Sequence, residues 1–395
     1  MHPVGVTSDR VAALPPEGRG RVVVIAANTS WNLVNFRGNI IVALQQRGFR
    51  VAAIAPPVAH SSRLVNRGLD YYPLYFRSAG ISPLSDARLF LRYLSLLREI
   101  RPAVFLGFTI KPNVYGSLAA RFLGIPVINN VSGLGTAFIK QGLITRVASQ
   151  LYRWAFRWSA TVFFQNSEDR DQFVEAGMVT ADRTRLLPGS GVDLERFAPT
   201  PLPGQGAFRF LLIGRLLWDK GVQEFVDAAR IVKQRHADVR FQILGFADVD
   251  NRTAVPRATL EGWIAEGLVE HLGATDDVRP FISDCDCVVL PSYREGLPRS
   301  LLEASAMARP IVGSDVPGVR DVVDHGVTGL LCQARCAPSL AAAMLKIMAM
   351  PVAERRAMGI AGRQRVERQF SVDEVTRRYV VAITEALQSP TSAGI

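Results

Sequence analysis

Cysteine is scarce: 4 residues in 395, none in a CxxC pair. That excludes a disulfide framework and makes a four-cysteine zinc site a poor reading, leaving reduced intracellular thiols. No run approaches the roughly 18 apolar residues that a membrane-spanning helix needs. Residues 1–20 lack a long apolar segment and a cleavage pattern, so a flexible tail is expected there instead of a signal peptide. No G-x-G-x-x-G follows a strand, since Gly133-Leu-Gly135 and Gly189-Ser-Gly191 lack the third glycine, and there is no P-loop. A dinucleotide dehydrogenase is therefore poorly supported. Carboxylates do not cluster as a divalent ion requires, so neither a metal nor a cofactor is expected. Acidic residues are also missing from one long tract: none occurs between Glu99 and Glu168, where seven Arg or Lys do.

The charge is correspondingly lopsided. Residues 1–200 carry 23 basic and 12 acidic side chains, whereas 201–395 carry 23 of each, so the net +11 belongs to the first half. An anionic partner on that side is implied, and no nucleic-acid-binding motif accompanies the charge. Apolar residues at 48% and charged residues at 21% suit a globular protein, and the length favours two domains.

Short apolar, β-branched or aromatic runs recur through the first half at 21–28, 50–56, 69–76, 103–108, 126–132 and 161–166, separated by helical patterns such as 86–100 and 113–124. The segment APTPLPGQG (198–206) has linker composition. Strand candidates then resume at 208–214, 239–245, 269–273, 287–292, 310–315 and 329–332. The alternation predicts an α/β protein of two doubly wound parallel sheets, over 21–198 and 207–370 with 199–206 between, and an amphipathic terminal helix over 371–388. Ligands of such sheets bind beyond the carboxyl ends of the strands, so facing sheets would share a cleft.

Two segments carry chemistry. In LLIGRLLWDKG (211–221) a buried strand ends at Gly214, followed by Arg215 and Lys220. Converging there, these cations neutralise a diphosphate, which gains charge as it leaves. In SYREGLPRSLLEASAMARPIVGSDVPG (292–318) Pro298 suits the first turn of a helix running to about Ala308. Gly296 and Leu297 then offer backbone N–H groups to phosphate, Glu303 can accept from a ribose diol, and Glu295 faces whatever lies beyond. Solvated turn residues and unrelated surface acids are the plain alternatives.

GRLLWDKG, the stretch from LGATDDVRPF to ARPIV, and HGVTGLL resemble the nucleotide-sugar domain of retaining GT-B glycosyltransferases of family 4. NTSWNLVNFRGNIIVALQQRGFRVAAIAP (28–56) and FTIKPNVYGSLAARFLGIPVINNVSGLGTAFI (108–139) resemble the bacterial subgroup that builds O-antigen, capsule or glycan repeat units on a polyprenyl carrier. The resemblance implies an acceptor-binding first domain completed by the terminal helix and a nucleotide-sugar-binding second domain. It implies Arg215 and Lys220 on the diphosphate, Glu303 on the ribose, and Glu295 with Gly296 and Leu297 on the donor sugar and phosphate. The expected reaction moves a hexose or N-acetylhexosamine from a UDP-sugar to a polyprenyl-diphosphate-linked acceptor with retention at the cytoplasmic face of the inner membrane. The rivals are an epimerase, a phosphorylase and a non-catalytic nucleotide-sugar-binding scaffold.

The chain also departs from that family. The paired-glycine loop after the first strand reads NTSWNLVNFRG, and the five histidines (2, 60, 236, 271, 325) avoid the first-domain cleft. Asn35 and Arg37, placed where a helix is expected to begin, become candidates for an anionic acceptor, with a helix-capping Asn and a solvated Arg as alternatives. Lys111, at a strand end with no acidic neighbour in sequence, is a candidate cleft cation. Ser132, Gly133 and Gly135 form a turn whose backbone can approach the sugar. Asp276 and Asp277 read as helix caps. The segment 140–158 combines Lys140, Arg146, Arg153 and Arg157 with Trp154, Trp158 and other aromatics and has no acid, which suits a helix lying on an anionic membrane surface, or one whose aromatics are core.

Overall fold

The computed structural model describes residues 18, 20–57, 61–76, 80, 82–133, 143–204, 206–247, 251 and 253–388. The expected tail (apart from residues 18 and 20), Gly135 and Lys140 lie outside the described residues. The chain divides into two compact units, one up to Ser190 plus the chain from Val372 onward, the other Gly191–Ser371.

The first unit is a seven-stranded, wholly parallel sheet: β1 (Val22–Ala26), β2 (Arg50–Ala55), β3 (Asp70–Pro73), β4 (Val104–Phe108), β5 (Val127–Val131), β6 (Thr161–Phe164) and β7 (Thr184–Leu186). Their order is β3-β2-β1-β4-β5-β6-β7. The first six fall on the six apolar runs; all but the edge strand β3 are buried, and strands covered on both faces read as continuous hydrophobic segments. The seventh, three residues at the sheet edge and largely exposed, carries no such run. Helix Pro83–Ile100 covers one face with Leu89, Tyr93 and Leu97.

The terminal helix, Val372–Gln388, covers part of the other. Asp373 and Glu374 stabilise its positive amino end. Val375, Tyr379 and Ile383, spaced by four, share one buried face with Ala382 and Ala386, packed beside helix Gly38–Gln46. Burying each of the larger apolar side chains contributes about 1.5–3 kcal/mol.

The second unit repeats the plan with β8 (Arg209–Ile213), β9 (Arg240–Leu244), β10 (Glu270–His271), β11 (Cys287–Leu290), β12 (Ile311–Ser314) and β13 (Gly329–Cys332), all parallel, in the order β10-β9-β8-β11-β12-β13. Each sheet reverses its winding at one point, between β1 and β4 in the first unit and between β8 and β11 in the second. Chain leaving the carboxyl ends of those strands forms the crevice where such sheets take ligands. The proline-rich segment after Ala198 runs along the second unit: fully buried Arg309 donates to Thr200 O, Thr200 Oγ1 and Pro201 O at 2.7–2.8 Å.

Candidate functional site

In the second unit the two segments meet at the switch point. After β8 the chain passes Gly214 and Arg215 into a single 3-10 turn, Trp218–Lys220, ended by Gly221 in the left-handed region at φ 72°. A Cβ there would stand 2.0 Å from Pro291 O, so only glycine lets this turn press against the loop that leaves β11. The loops are stitched by Tyr293 N donating to Asp219 O at 2.9 Å and by the Tyr293 hydroxyl donating to Glu224 Oε1 at 2.7 Å. Arg335 lies 4.4 Å over the Tyr293 ring. This brings Lys220 Nζ onto Glu295 Oε1, an ion pair spanning 75 positions, and Ser292 Oγ donates to the same oxygen at 2.7 Å.

Arg215, on the chain between β8 and that turn, is exposed, and its side chain makes no ion pair with any described residue. On the opposite side of the 291–298 loop, Gly318 at φ 79° lets the backbone of Glu295 and Gly296 approach; a Cβ would sit 2.5 Å from Gly296 O. Gly296 and Leu297 precede helix Arg299–Ala306, with Pro298 as the N-cap residue and a shorter carboxyl end than the sequence suggested. Glu303 lies inside that helix and is 7% exposed, with Arg299 Nε donating to Oε1 at 2.7 Å. Burial raises the pKa of Glu303 above its ordinary value, with Arg299 opposing. Arg299 escaped notice in the sequence, although its four-residue spacing from Glu303 is the usual signal of a helical pair.

The helix expected to open at Asp276 and Asp277 starts later, as Arg279–Asp284 with Val278 as its N-cap residue; Asp277, just outside it, accepts from the Arg279 backbone at 3.2 Å while its carboxylate pairs with the Arg279 guanidinium. That guanidinium holds its pKa down at about 2. Burial pushes the Cys285 thiol up to about 12, away from the reactive thiolate. Among the described residues no group of three or more His, Cys, Asp or Glu is placed to hold a metal ion.

Three expectations in the first unit need correction. The helix after β1 starts at Ser30, capped by Thr29 Oγ1 accepting from Asn32 N at 3.1 Å, so Asn35 is not its N-cap; it sits in the last turn and donates to Trp31 O. Arg37 is not solvated: it is buried at the junction of helices Ser30–Phe36 and Gly38–Gln46, its guanidinium 4.2 Å above the Phe108 ring and 3.4 Å from Ser132 Oγ. Lys111 was singled out for lacking an acidic neighbour, yet its Nζ pairs with Asp86 Oδ1 at 2.8 Å, both buried. The pair joins helix Pro83–Ile100 to the end of β4, 25 positions apart, which accounts for Lys111 without chemistry.

The structure thus brings Arg37 and Ser132 together at the carboxyl ends of β1 and β5, with Gly133 next in the turn at φ 113°. Between them the chain leaves β4 through Thr109, a β-branched residue at φ 71° whose Oγ1 accepts from Asn28 N at 3.1 Å, and a π-helical turn, Pro112–Gly116. Both irregularities are strained conformations that concentrate at functional sites. Asn130 and Tyr379, which hold this corner, gave no signal in the sequence beyond apolar surroundings.

The helix expected within 140–158 spans Leu143–Phe156. Tyr152, Ala155 and Phe156 enter the core, whereas Trp154 is 56% and Trp158 48% exposed. Arg121 and Arg157 lie over the Trp158 ring at 4.5 and 5.2 Å, beside exposed Phe122. Among the described residues no helix is long and apolar enough to cross a membrane.

Two parallel doubly wound units, with a terminal helix returning to the first, are the architecture of the GT-B fold. Residues 207–350 match the model of "Glycosyl transferases group 1" and residues 35–189 that of the "Glycosyl transferase 4-like domain". The chain belongs to the group 1 glycosyltransferases of family 4. It is 29% identical over 326 residues, 78% of this chain and 84% of the relative, to the N,N'-diacetylbacillosaminyl-diphospho-undecaprenol alpha-1,3-N-acetylgalactosaminyltransferase of Campylobacter jejuni. It is 25% identical over 280 residues, 68% of this chain and 72% of the relative, to the Escherichia coli UDP-Gal:alpha-D-GlcNAc-diphosphoundecaprenol alpha-1,3-galactosyltransferase. Among solved structures, Anabaena HepE in complex with UDP and glucose superposes with a TM-score of 0.77 at 18% identity, over 92% of this chain and 99% of that one.

Proposed function

We propose that the protein transfers a hexose or N-acetylhexosamine from a UDP-sugar to a sugar on a polyprenyl diphosphate, with retention, in the assembly of a surface polysaccharide or glycan. The observation that carries this is the ion pair of Lys220 with Glu295, with exposed Arg215 on the chain leading from β8, at the switch point where a sheet of this kind takes its ligand. Arg215 and Lys220 stabilise the leaving diphosphate, Glu295 and the backbone of Gly296 and Leu297 address the donor sugar and its phosphate, and Glu303 accepts from the ribose. No side chain is offered as a covalent nucleophile; the leaving phosphate takes the proton of the attacking hydroxyl. The activities of the two relatives support the donor and acceptor classes.

In the first unit Ser132, Gly133 and buried Arg37 receive the acceptor. The outward rings of Trp154 and Trp158, with Arg146, Arg153 and Arg157, rest on anionic lipid at the cytoplasmic face of the inner membrane, where a lipid-linked acceptor must be met.

The test incubates the purified protein with a UDP-hexose and UDP-N-acetylhexosamine panel and undecaprenyl-diphosphate-linked N-acetylglucosamine, N-acetylgalactosamine or N,N'-diacetylbacillosamine. A new glycolipid with a retained anomeric configuration is expected. No transfer with any pair, or an isomerised nucleotide sugar formed without acceptor, overturns the reading. For the membrane part, Trp154→Ala with Trp158→Ala should reduce co-sedimentation with anionic vesicles at an unchanged melting temperature, and equal sedimentation with neutral and anionic vesicles would refute an electrostatic contact.

A further inference from the structure

Five residues from four elements close a ring at the carboxyl end of β5. The Arg37 guanidinium lies over Phe108 of β4, and the Phe108 ring stands 5.9 Å from that of Tyr379 on the terminal helix. Asn130 of β5 donates from Nδ2 to the Tyr379 hydroxyl at 2.7 Å, Ser132 Oγ donates to Asn130 Oδ1 at 2.7 Å, and Arg37 Nη2 donates to Ser132 Oγ at 3.4 Å, which returns to the start. Arg37, Phe108, Asn130 and Tyr379 are all at most 3% exposed; Ser132 reaches solvent.

Space filling does not call for this arrangement. A phenol, an amide and a guanidinium each lose hydration on burial, and apolar side chains of similar volume would fill the same corner at less cost. What the polar ring supplies, and apolar packing would not, is direction. The Asn130 amide is gripped at both ends, so its oxygen stays turned to Ser132 and the exposed hydroxyl has one fixed orientation above a buried cation. Asn130 is itself anchored, because Asn113 Nδ2 donates to its carbonyl at 2.8 Å from the π-helical turn. Burial lifts the Tyr379 phenol to about 12, so it stays neutral across the working pH range.

We propose that Tyr379 and Asn130 are positioning residues of the acceptor site, holding Ser132 Oγ and Arg37 in the orientation that receives the sugar and diphosphate of the lipid-linked acceptor. This rests on the acceptor reading given above. The terminal helix thereby sets acceptor affinity through one phenolic oxygen while touching no substrate.

The decisive variant is Tyr379→Phe, which keeps the ring against Phe108 and Phe163 and deletes only the oxygen. Steady-state kinetics use whichever of the three undecaprenyl-diphosphate-linked sugars is turned over. The acceptor KM should rise about five- to tenfold, the effect of one lost hydrogen bond, while kcat and the donor KM stay within about twofold. Ser132→Ala should give a similar rise, and the double variant no more than either alone, since both break one path. Asn130→Leu, which keeps the branched shape and the number of side-chain heavy atoms while removing both polar ends, tests the other link should Tyr379→Phe not fold. An unchanged acceptor KM in Tyr379→Phe, with a raised one in Ser132→Ala, overturns the positioning role and leaves the acceptor site standing. Unchanged acceptor KM in Ser132→Ala and Arg37→Lys as well removes the acceptor site itself. A fall in kcat with both KM values altered and a lower melting temperature assigns Tyr379 to packing alone and equally overturns the proposal.

Discussion

Replacing Arg309 by lysine should destabilise the second unit far more than a conservative exchange of cations ordinarily does. The guanidinium is fully buried and its nitrogens reach six oxygens: Nε donates to Ile282 O at 2.9 Å, Nη1 to Thr200 O and Met307 O, and Nη2 to Thr200 Oγ1, Pro201 O and Ser283 O. An ammonium has three donors and cannot match the fan of a planar fork, so about three of these hydrogen bonds are lost. An unsatisfied buried acceptor costs about 1–3 kcal/mol. Water reaches the Thr200 and Pro201 end, where the contacts are only partly buried, which holds the sum to roughly 3–5 kcal/mol by the same measure. Because the two units can unfold separately, a single melting temperature would blur the result. Native-state hydrogen exchange resolves it: amides of β8, β11 and β12 should lose about 3 kcal/mol or more of protection while those of β1, β4 and β5 keep theirs. A loss below about 0.5 kcal/mol in the second unit would refute the reasoning, and Arg309 would then be a spectator.

Arg215→Ala and Lys220→Ala should each cut turnover at saturating donor by roughly 10²–10³-fold, the usual cost of removing one donor to developing charge, at an unchanged melting temperature. Turnover within threefold of the wild type in both would end the diphosphate assignment. Glu303 has a pKa raised by burial, so the folded state binds the extra proton and stability declines as pH rises through the window above its ordinary value. Glu303→Gln should therefore flatten that decline in a pH series of unfolding free energies, while calorimetry shows weaker UDP binding; unaltered affinity would free Glu303 from the ribose. Activity should survive exhaustive chelation, and complete loss with EDTA restored by Mg²⁺ would overturn a metal-independent mechanism.

Most of the thirteen strands were legible because they are apolar runs between turn residues, and the alternation with helices dictates a parallel sheet; β3 and β10, at the sheet edges, were legible from the tyrosines and from Val269 and Leu272 around them. The exception, Thr184–Leu186, is a three-residue edge strand with one apolar side chain and two exposed positions, too short and too polar to give a hydrophobic signal. In the site, residue types and local order were readable, since Arg215 and Lys220 must follow β8 and Glu295 must follow β11. Partners were not. Nothing local announces that Asp86 neutralises Lys111, that Phe108 roofs Arg37, or that Tyr379 reaches Asn130 across 249 positions. Each depends on which strands become neighbours, and a one-dimensional reading treats such a side chain as solvated by default. The 143–156 helix shows the same limit: its composition fits lipid or core, and the fold divides the aromatics between the two faces.

The return of the terminal helix also governs the order in which the protein can be made. Val375, Tyr379, Ala382, Ile383 and Ala386 belong to the core of the first unit but follow the 191–371 segment in the chain. At about 5–20 residues per second, a ribosome needs roughly 10–40 s to synthesise that intervening stretch. Throughout that interval the nascent first unit carries an uncovered apolar face over β4, β5 and helix Gly38–Gln46, an entry point for aggregation when synthesis stalls within the second unit.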